Sequence, residues 1–297
     1  LSSAASDVYK RQHQLIYDYI NKEVEDTGGA VYTVESGWNL SRSVSPMLTT
    51  QWHQGAPFKL RFPISTSWTI WAPPGCVTIA VAQIMNYHQF PRNYCDWSLV
   101  NQYNPKKLLE ENDQDVLDEV ALLSKKVAGG CRVECNFFGS GETFSTPAKA
   151  KRFLRDMGYT GIEKHLGYDA DVIKTTLNKG CPVFIGALAS SNHGHAWVID
   201  GYLNYENIIK TYNGPATLLE TKTVNKLFVH CNWGWQSTRK NGYYASKVFD
   251  TRNGPADLSG YPVATRGIDT KNYTWWFRIV TYNTPCLLYT SDAADDK

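Results

Sequence analysis

The sequence lacks long apolar runs, a strong net charge and a dense set of cysteines. No apolar stretch reaches about 18 residues, so the sequence predicts no transmembrane helix. A net charge of +2 over 297 residues gives no indication of a surface that binds nucleic acid or another polyanion. Seven cysteines at irregular spacing exclude a small scaffold held by disulfides. The composition of the whole chain, with 42% hydrophobic and 20% charged residues, is ordinary for a globular protein of one large or two small domains.

Internal repeats, low-complexity segments and metal-binding motifs are also missing. The stretch His193-Gly194-His195 could suggest a metal site, but no third ligand stands at motif spacing from it. We therefore expect no metal there. Cys131 and Cys135 could pair with each other or be buried as thiols, and the sequence leaves both alternatives open.

The two ends of the chain differ from the rest. Residues 1–12 and 286–297 have no useful periodicity and resemble translated adapter tails, so we expect them to be non-native and outside the fold. Residues 13–43 are interpreted as a propeptide remnant or linker. The remaining segment, 44–285, is predicted to be the main domain.

Helix candidates precede strand candidates along the chain. Apolar periodicity predicts helices over 76–88, 114–128, 147–158 and 169–179, with a short polar helix over 13–25 and a linker or arm from about 28 to 45. After Gly180 the pattern favours strands, over 182–188, 196–199, 227–230, 242–244 and 275–280. Helices first and strands later indicate an α+β fold, with two packed lobes and a cleft between them.

Cys76 is the most informative residue, because the turn Pro73-Pro74-Gly75 delivers it to the first position of an apolar helix. A thiol there meets the positive end of the helix dipole and unpaired backbone N–H groups. Both favour the thiolate, which is the nucleophilic form. Since a free cysteine is more commonly a small buried hydrophobe, a nucleophile also requires a base within reach.

The best candidate for the base is His195, at the start of a predicted strand that continues as a buried run. His193 is its competitor. Asn232 follows another strand, and its amide can accept from the imidazole N–H and hold the tautomer, while Trp233 can exclude water. The alternative for Asn232 and Trp233 is a turn with core tryptophans.

Acyl transfer also needs hydrogen-bond donors directed at the developing oxyanion. The backbone N–H of Cys76 is one candidate. The side chain of Gln54 is the other, although taken alone this glutamine is more typical of a solvated loop.

Four stretches in this order carry a family resemblance: 54–58, 75–88, 194–201 and 232–235. They resemble streptopain-like proteases, the papain-like family C10 of bacterial cysteine proteases, over roughly residues 44–245. The resemblance implies a papain-like two-lobe fold, in which a helical lobe with a central buried helix faces an antiparallel β lobe.

The resemblance also implies residue roles. Cys76 is expected to be the nucleophile and His195 the base, with Gln54 assisting the oxyanion and Asn232 and Trp233 supporting the histidine. Three further residues are expected to line the substrate cleft. They are Ser140 and Gly141, in a stretch similar to a family cleft loop, and Gly194, beside the histidine.

The implied function is that of a secreted bacterial cysteine endopeptidase, made as a zymogen and located outside the cell or at its surface. Its expected partners are protein or peptide substrates and its own propeptide as inhibitor, with no nucleic acid. Acyl transfer through a thioester on the cysteine needs no metal and no organic cofactor, so none is expected. Two alternatives remain open. One is a papain-like amidase or transglutaminase that uses the same residues, and the other is a catalytically silent binding homologue.

Overall fold

The computed structural model describes residues 31–63, 72–135, 143–191, 193–213, 217–235, 240–252, 254–255 and 271–284. The helix predicted over 13–25 and the tails 1–12 and 286–297 lie outside these ranges. Within them, no helix combines the length and apolar character needed to cross a membrane. Cys131 and Cys135, for which two alternatives were open, are both free thiols.

Five α-helices are found in the described residues, and four of them lie close to their predicted bounds. The helices are α1 (Cys76–His88), α2 (Trp97–Val100), α3 (Gln114–Gly130), α4 (Pro147–Asp156) and α5 (Ala170–Asn178), with a short 3-10 helix at Leu109–Glu111. Local chemistry explains the starts. Thr146 accepts a hydrogen bond from the Lys149 N–H and Pro147 occupies the first turn of α4, while Asp169 caps α5.

Twelve strands make up the β structure of the described residues. They are β1 (Val31–Glu35), β2 (Asn39–Val44), β3 (Glu134–Cys135), β4 (Thr143–Phe144), β5 (Thr160–Leu166), β6 (Val183–Ser190), β7 (His193–Asn213), β8 (Thr217–Asn232), β9 (Gly242–Ala245), β10 (Phe249–Asp250), β11 (Asn272–Tyr273) and β12 (Trp275–Asn283). The main sheet has the order β5-β12-β6-β7-β8-β9, and its paired strands are antiparallel.

The largest difference from the sequence prediction concerns the segment expected to be a linker or arm. It forms β1 and β2, which pair with the outer half of β7. Strands β7 and β8 are also much longer than predicted, because they continue past the core as a hairpin. The side chains of β1 and β2 and of the hairpin end are mainly exposed, so the alternation that signals a half-buried strand is missing there.

The main sheet separates two apolar cores. Along β7, Ala196 and Val198 face the core built around α1, whereas Trp197 and Ile199 face the second core, which α5 closes. This alternation follows from the period of two along a strand. Helix α1 is buried nearly all round, as predicted. The described residues therefore form an α+β fold in which a buried helix lies against one face of an antiparallel sheet.

Candidate active site

Cys76 is the first residue of α1 and is half-buried against the helical core. The preceding residue, Gly75, has φ 87°, and among the described residues no side chain caps the helix start. A Cβ at Gly75 would lie 2.9 Å from Oγ1 of Thr143. Both the left-handed backbone and the crowding require glycine here, so the turn fixes the position at which the thiol leaves the helix.

The thiol of Cys76 is subject to opposing effects. Burial is the larger one and raises its pKa, while the backbone N–H groups of Ala196, Val77 and Cys76 itself lower the pKa. The helix-start N–H groups thus act in the predicted direction, but burial outweighs them. Ala196, one of the residues whose N–H lowers this pKa, directly follows His195 on β7.

His195 is buried near the start of β7. Its Nε2 lies 2.9 Å from the carbonyl oxygen of Trp233. Because a carbonyl oxygen can only accept, the ring nitrogen donates, and the neutral ring carries its proton on Nε2. Nδ1 is then the atom that can take up a second proton, which is the property required of a general base.

Aromatic rings surround the His195 imidazole. The ring of Trp235 is nearest, at a centroid distance of 4.7 Å, followed by Trp233 and Tyr273 at 5.9 Å and Trp197 at 6.3 Å. Trp197 and Trp233 themselves stack at 4.5 Å. Of these four, the sequence predicted a role for Trp233 alone. Tyr273 comes from β11, far along the chain, and no local sequence signal connects it to the histidine.

Asn232 directly precedes Trp233, whose carbonyl oxygen accepts the hydrogen bond from Nε2 of His195. Its Nδ2 donates to the Thr50 carbonyl across 2.8 Å, and its Oδ1 accepts from the Gly234 N–H across 3.2 Å. Gly234 has φ 65°, and a Cβ there would lie 2.8 Å from Cγ2 of Ile79 on α1. The Asn232 amide therefore shapes the turn that follows Trp233, in which Gly234 lies close to α1. A direct bond to the imidazole stays a prediction.

Gln54 is half-buried in the loop before α1. The start of this loop is tied to both sides of the site through Thr50. Its Oγ1 donates to Oε1 of Gln83 on α1 across 2.7 Å, and its carbonyl receives the bond from Asn232. The segment that carries Gln54 is thus fastened to α1 and β8. Thr50 was not singled out from the sequence, since an isolated threonine gives no signal.

The remaining predicted residues fall in different surroundings. His193, the competing base, is exposed and its Nδ1 lies 3.0 Å from Oγ of Ser190. Gly194 is exposed, and a Cβ there would lie 2.8 Å from Cδ2 of Leu188. Ser140 and Gly141 lie outside the described residues. In the part of the chain that the structure describes, no group of three or more His, Cys, Asp or Glu could hold a metal ion.

Comparison with known families identifies the chain. The sequence model of the Peptidase C10 family matches residues 52–244, a stretch that contains Gln54, Cys76, His195, Asn232 and Trp233. The chain belongs to the Peptidase C10 family. It is a cysteine-type peptidase, as the resemblance implied. A search of curated proteins finds no match.

Two solved structures from Prevotella intermedia share the fold. Active wild-type interpain A cysteine protease superposes with a TM-score of 0.58 at 21% identity, covering 81% of this chain and 95% of that one. A mutant fragment of prointerpain A gives a TM-score of 0.54 at 19% identity, covering 94% of this chain and 83% of that one. The predicted papain-like fold class is confirmed by this similarity.

Proposed function

We propose that this C10 peptidase is a secreted bacterial endopeptidase that cleaves peptide bonds with a Cys76–His195 dyad. The observation that carries the proposal is the match of the Peptidase C10 family model to a stretch that contains both Cys76 and His195. The backbone N–H of Ala196, the residue after His195, is also among the groups that lower the pKa of the Cys76 thiol. The contact between Nε2 of His195 and the Trp233 carbonyl adds a fixed tautomer with Nδ1 as the proton acceptor.

In the proposed first half-reaction, the Cys76 thiolate attacks the carbonyl carbon of the scissile peptide bond and forms a C–S bond. The carbonyl electron pair moves to oxygen, which accepts from the Cys76 N–H and the Gln54 amide. When the oxyanion collapses, the C–N bond breaks. The leaving amine takes its proton from the His195 imidazolium, and a thioester remains on Cys76.

In the second half-reaction, a water molecule attacks the thioester carbon and gives a proton to neutral His195. The same donors hold the second oxyanion. Its collapse breaks the C–S bond, releases the carboxylic acid and returns the thiolate and imidazolium pair. The Trp233 carbonyl stabilises the imidazolium in both steps, because it accepts from Nε2 while Nδ1 exchanges protons.

The zymogen and its location are part of the same proposal. We assign residues 13–43 to the end of a propeptide that inhibits the domain of 44–285 before activation, and place the mature enzyme outside the cell or at its surface. Family membership supports this assignment, and one structural neighbour is itself a pro-form, prointerpain A. Protein or peptide chains are the proposed substrates.

A peptidyl electrophile that reacts with thiolates tests the dyad. We expect one label per chain, mapped by peptide mass spectrometry to Cys76, with labelling lost in Cys76→Ala and strongly slowed in His195→Ala. His193→Ala is the matched control and should label at close to the wild-type rate. Absence of labelling at Cys76 in the folded wild-type chain, or a larger loss in His193→Ala than in His195→Ala, would contradict the proposal.

A further inference from the structure

His53 directly precedes the proposed oxyanion residue, Gln54, and its role is not explained by the mechanism above. Its side chain is 6% exposed, although it lies in a loop. The imidazole contacts the edge of Phe58 at a centroid distance of 5.5 Å, and Phe58 in turn meets Tyr103 at 5.6 Å. A polar ring in such surroundings requires partners for both of its nitrogens.

Both nitrogens of His53 have such partners. The backbone N–H of Gly55 donates to Nδ1 across 3.0 Å, and Nε2 lies 3.4 Å from the hydroxyl oxygen of Tyr103. Burial lowers the pKa of His53 to about 4, so the ring is neutral near pH 7. Since Nδ1 accepts, the ring proton is on Nε2 and is donated to Tyr103.

The bond from Gly55 to His53 encloses one residue, Gln54. It has the same connectivity as an Asx turn, in which a side-chain acceptor binds the N–H two residues later. A Cβ at Gly55 would lie 2.8 Å from Nδ1, so only glycine permits this approach. The two peptide groups that flank Gln54 are therefore fixed by a ring that is itself held by Tyr103 and Phe58.

We propose that His53 is a positioning residue that sets the backbone of Gln54, so that the glutamine amide meets the oxyanion. This inference rests on the proposed oxyanion role of Gln54. The acceptor at Nδ1 is the required property, and the aromatic ring supplies packing. A purely structural histidine would affect folding stability, whereas a positioning histidine affects the step in which the oxyanion forms.

Three substitutions at His53 distinguish the effect of the Nδ1 acceptor from the effect of the packing of the ring. Asn places an acceptor oxygen where Nδ1 stands, Gln moves it one bond further, and Leu removes it. We expect His53→Leu and His53→Gln to lower kcat by about tenfold to a hundredfold with little change in KM, because misplacement of a catalytic group by about 1 Å has effects of that size. His53→Asn should restore most of kcat.

His88 is the matched control. It is half-buried at the other end of α1, burial also lowers its pKa to about 4, and its Nε2 lies 3.1 Å from the Tyr282 hydroxyl. His88→Leu should lower the unfolding midpoint without a selective fall in kcat. Rates are to be normalised to the fraction of Cys76 that reacts with a peptidyl electrophile, so that misfolded chains do not count.

Measurements in the Gln54→Ala background distinguish the positioning role of His53 from the oxyanion role of Gln54. Gln54→Ala should lower kcat by about a hundredfold or more, as loss of one oxyanion donor does, and His53→Leu should then add little. If Gln54→Ala lowers kcat but His53→Leu does not, or if Asn fails to rescue, the positioning role is overturned alone. If Gln54→Ala leaves kcat unchanged, the oxyanion assignment itself is overturned, and the inference with it.

Discussion

At the scale of single residues, the proposed chemistry depends on how the Cys76 thiol is ionised. The helix start supplies two backbone N–H groups that favour the thiolate, but burial raises the pKa by more than they lower it. In the proposed dyad the imidazolium of His195, the buried residue before Ala196 on β7, supplies the difference. We therefore expect Cys76 to form its thiolate only when His195 is present and protonated.

The dependence of alkylation on pH tests this pairing. In His195→Ala the thiol keeps its raised pKa, so it is protonated below that value and its alkylation rate should fall about tenfold for each pH unit on the acid side. If the proposed dyad forms in the wild type, its imidazolium favours the thiolate, so we expect the rate to remain high at pH 6. The measurement is the second-order rate constant for a small alkylating reagent at Cys76. Equal rates for both proteins at pH 6 would contradict the pairing.

The residues of the site differ in how visible they are in the sequence. Cys76 and His195 stand in local patterns, a turn before an apolar helix and the start of a buried strand, so both could be picked out. The surroundings of the imidazole could not. Tyr273 reaches it from β11, and the Nε2 partner is a backbone carbonyl, a group that every residue has. Tertiary structure alone brings such groups together.

At the scale of elements, four of the five α-helices in the described residues were predictable and the outer strands were not. Helices α3, α4 and α5 carry apolar stripes of helical period and polar caps, so their ends lie close to the predicted ones. Strands β1 and β2 carry mainly exposed side chains and are defined by pairing with β7. Backbone pairing of this kind leaves no hydrophobic pattern in the sequence.

Gly75 at the start of α1 offers a test with a close control. Gly75 and Gly167 both have φ 87°, but a Cβ at Gly75 meets Thr143 whereas one at Gly167 meets nothing within 4 Å. Each substitution by Ala should destabilise the fold by about 1–2 kcal/mol from backbone strain. Gly75→Ala should in addition lower kcat/KM, because the crowding displaces Cys76.

Urea unfolding and peptide hydrolysis are the two measurements for this pair. Gly167→Ala is expected to keep kcat/KM near the wild-type value despite its lower stability. If both variants lose the same fraction of kcat/KM, or if Gly75→Ala loses none, then the turn at Gly75 does not set the position of the Cys76 thiol.

At the scale of the whole molecule, β7 links the candidate active site to the segment that we assign to the propeptide. His195 lies near one end of β7, and the outer half of the strand pairs with β1 and β2. Around Gly201, the partner of β7 on this side changes from β6 to β2. A Cβ at Gly201 would lie 2.8 Å from the carbonyl oxygen of Val44, the last residue of β2. The predicted boundary between residues 43 and 44 thus falls within β2.

Truncation of the chain tests the consequence of this arrangement. A chain that begins at Ser45 loses β1 and β2 and leaves the outer half of β7 with an unpaired edge, which favours edge-to-edge association. We expect its apparent mass in light scattering to increase with concentration more than that of a chain beginning at Val31. Identical behaviour of the two chains would show that β1 and β2 do not protect this edge.

The acyl-enzyme is the most direct test of the central claim, that Cys76 and His195 form the catalytic dyad. A peptide ester should acylate the enzyme faster than the thioester is hydrolysed, so that acid quenching traps the intermediate. We predict a mass increase of one acyl group, located by peptide mapping on Cys76 and lost in both Cys76→Ala and His195→Ala. An acyl group on another residue, or its undiminished formation in His195→Ala, would contradict the dyad.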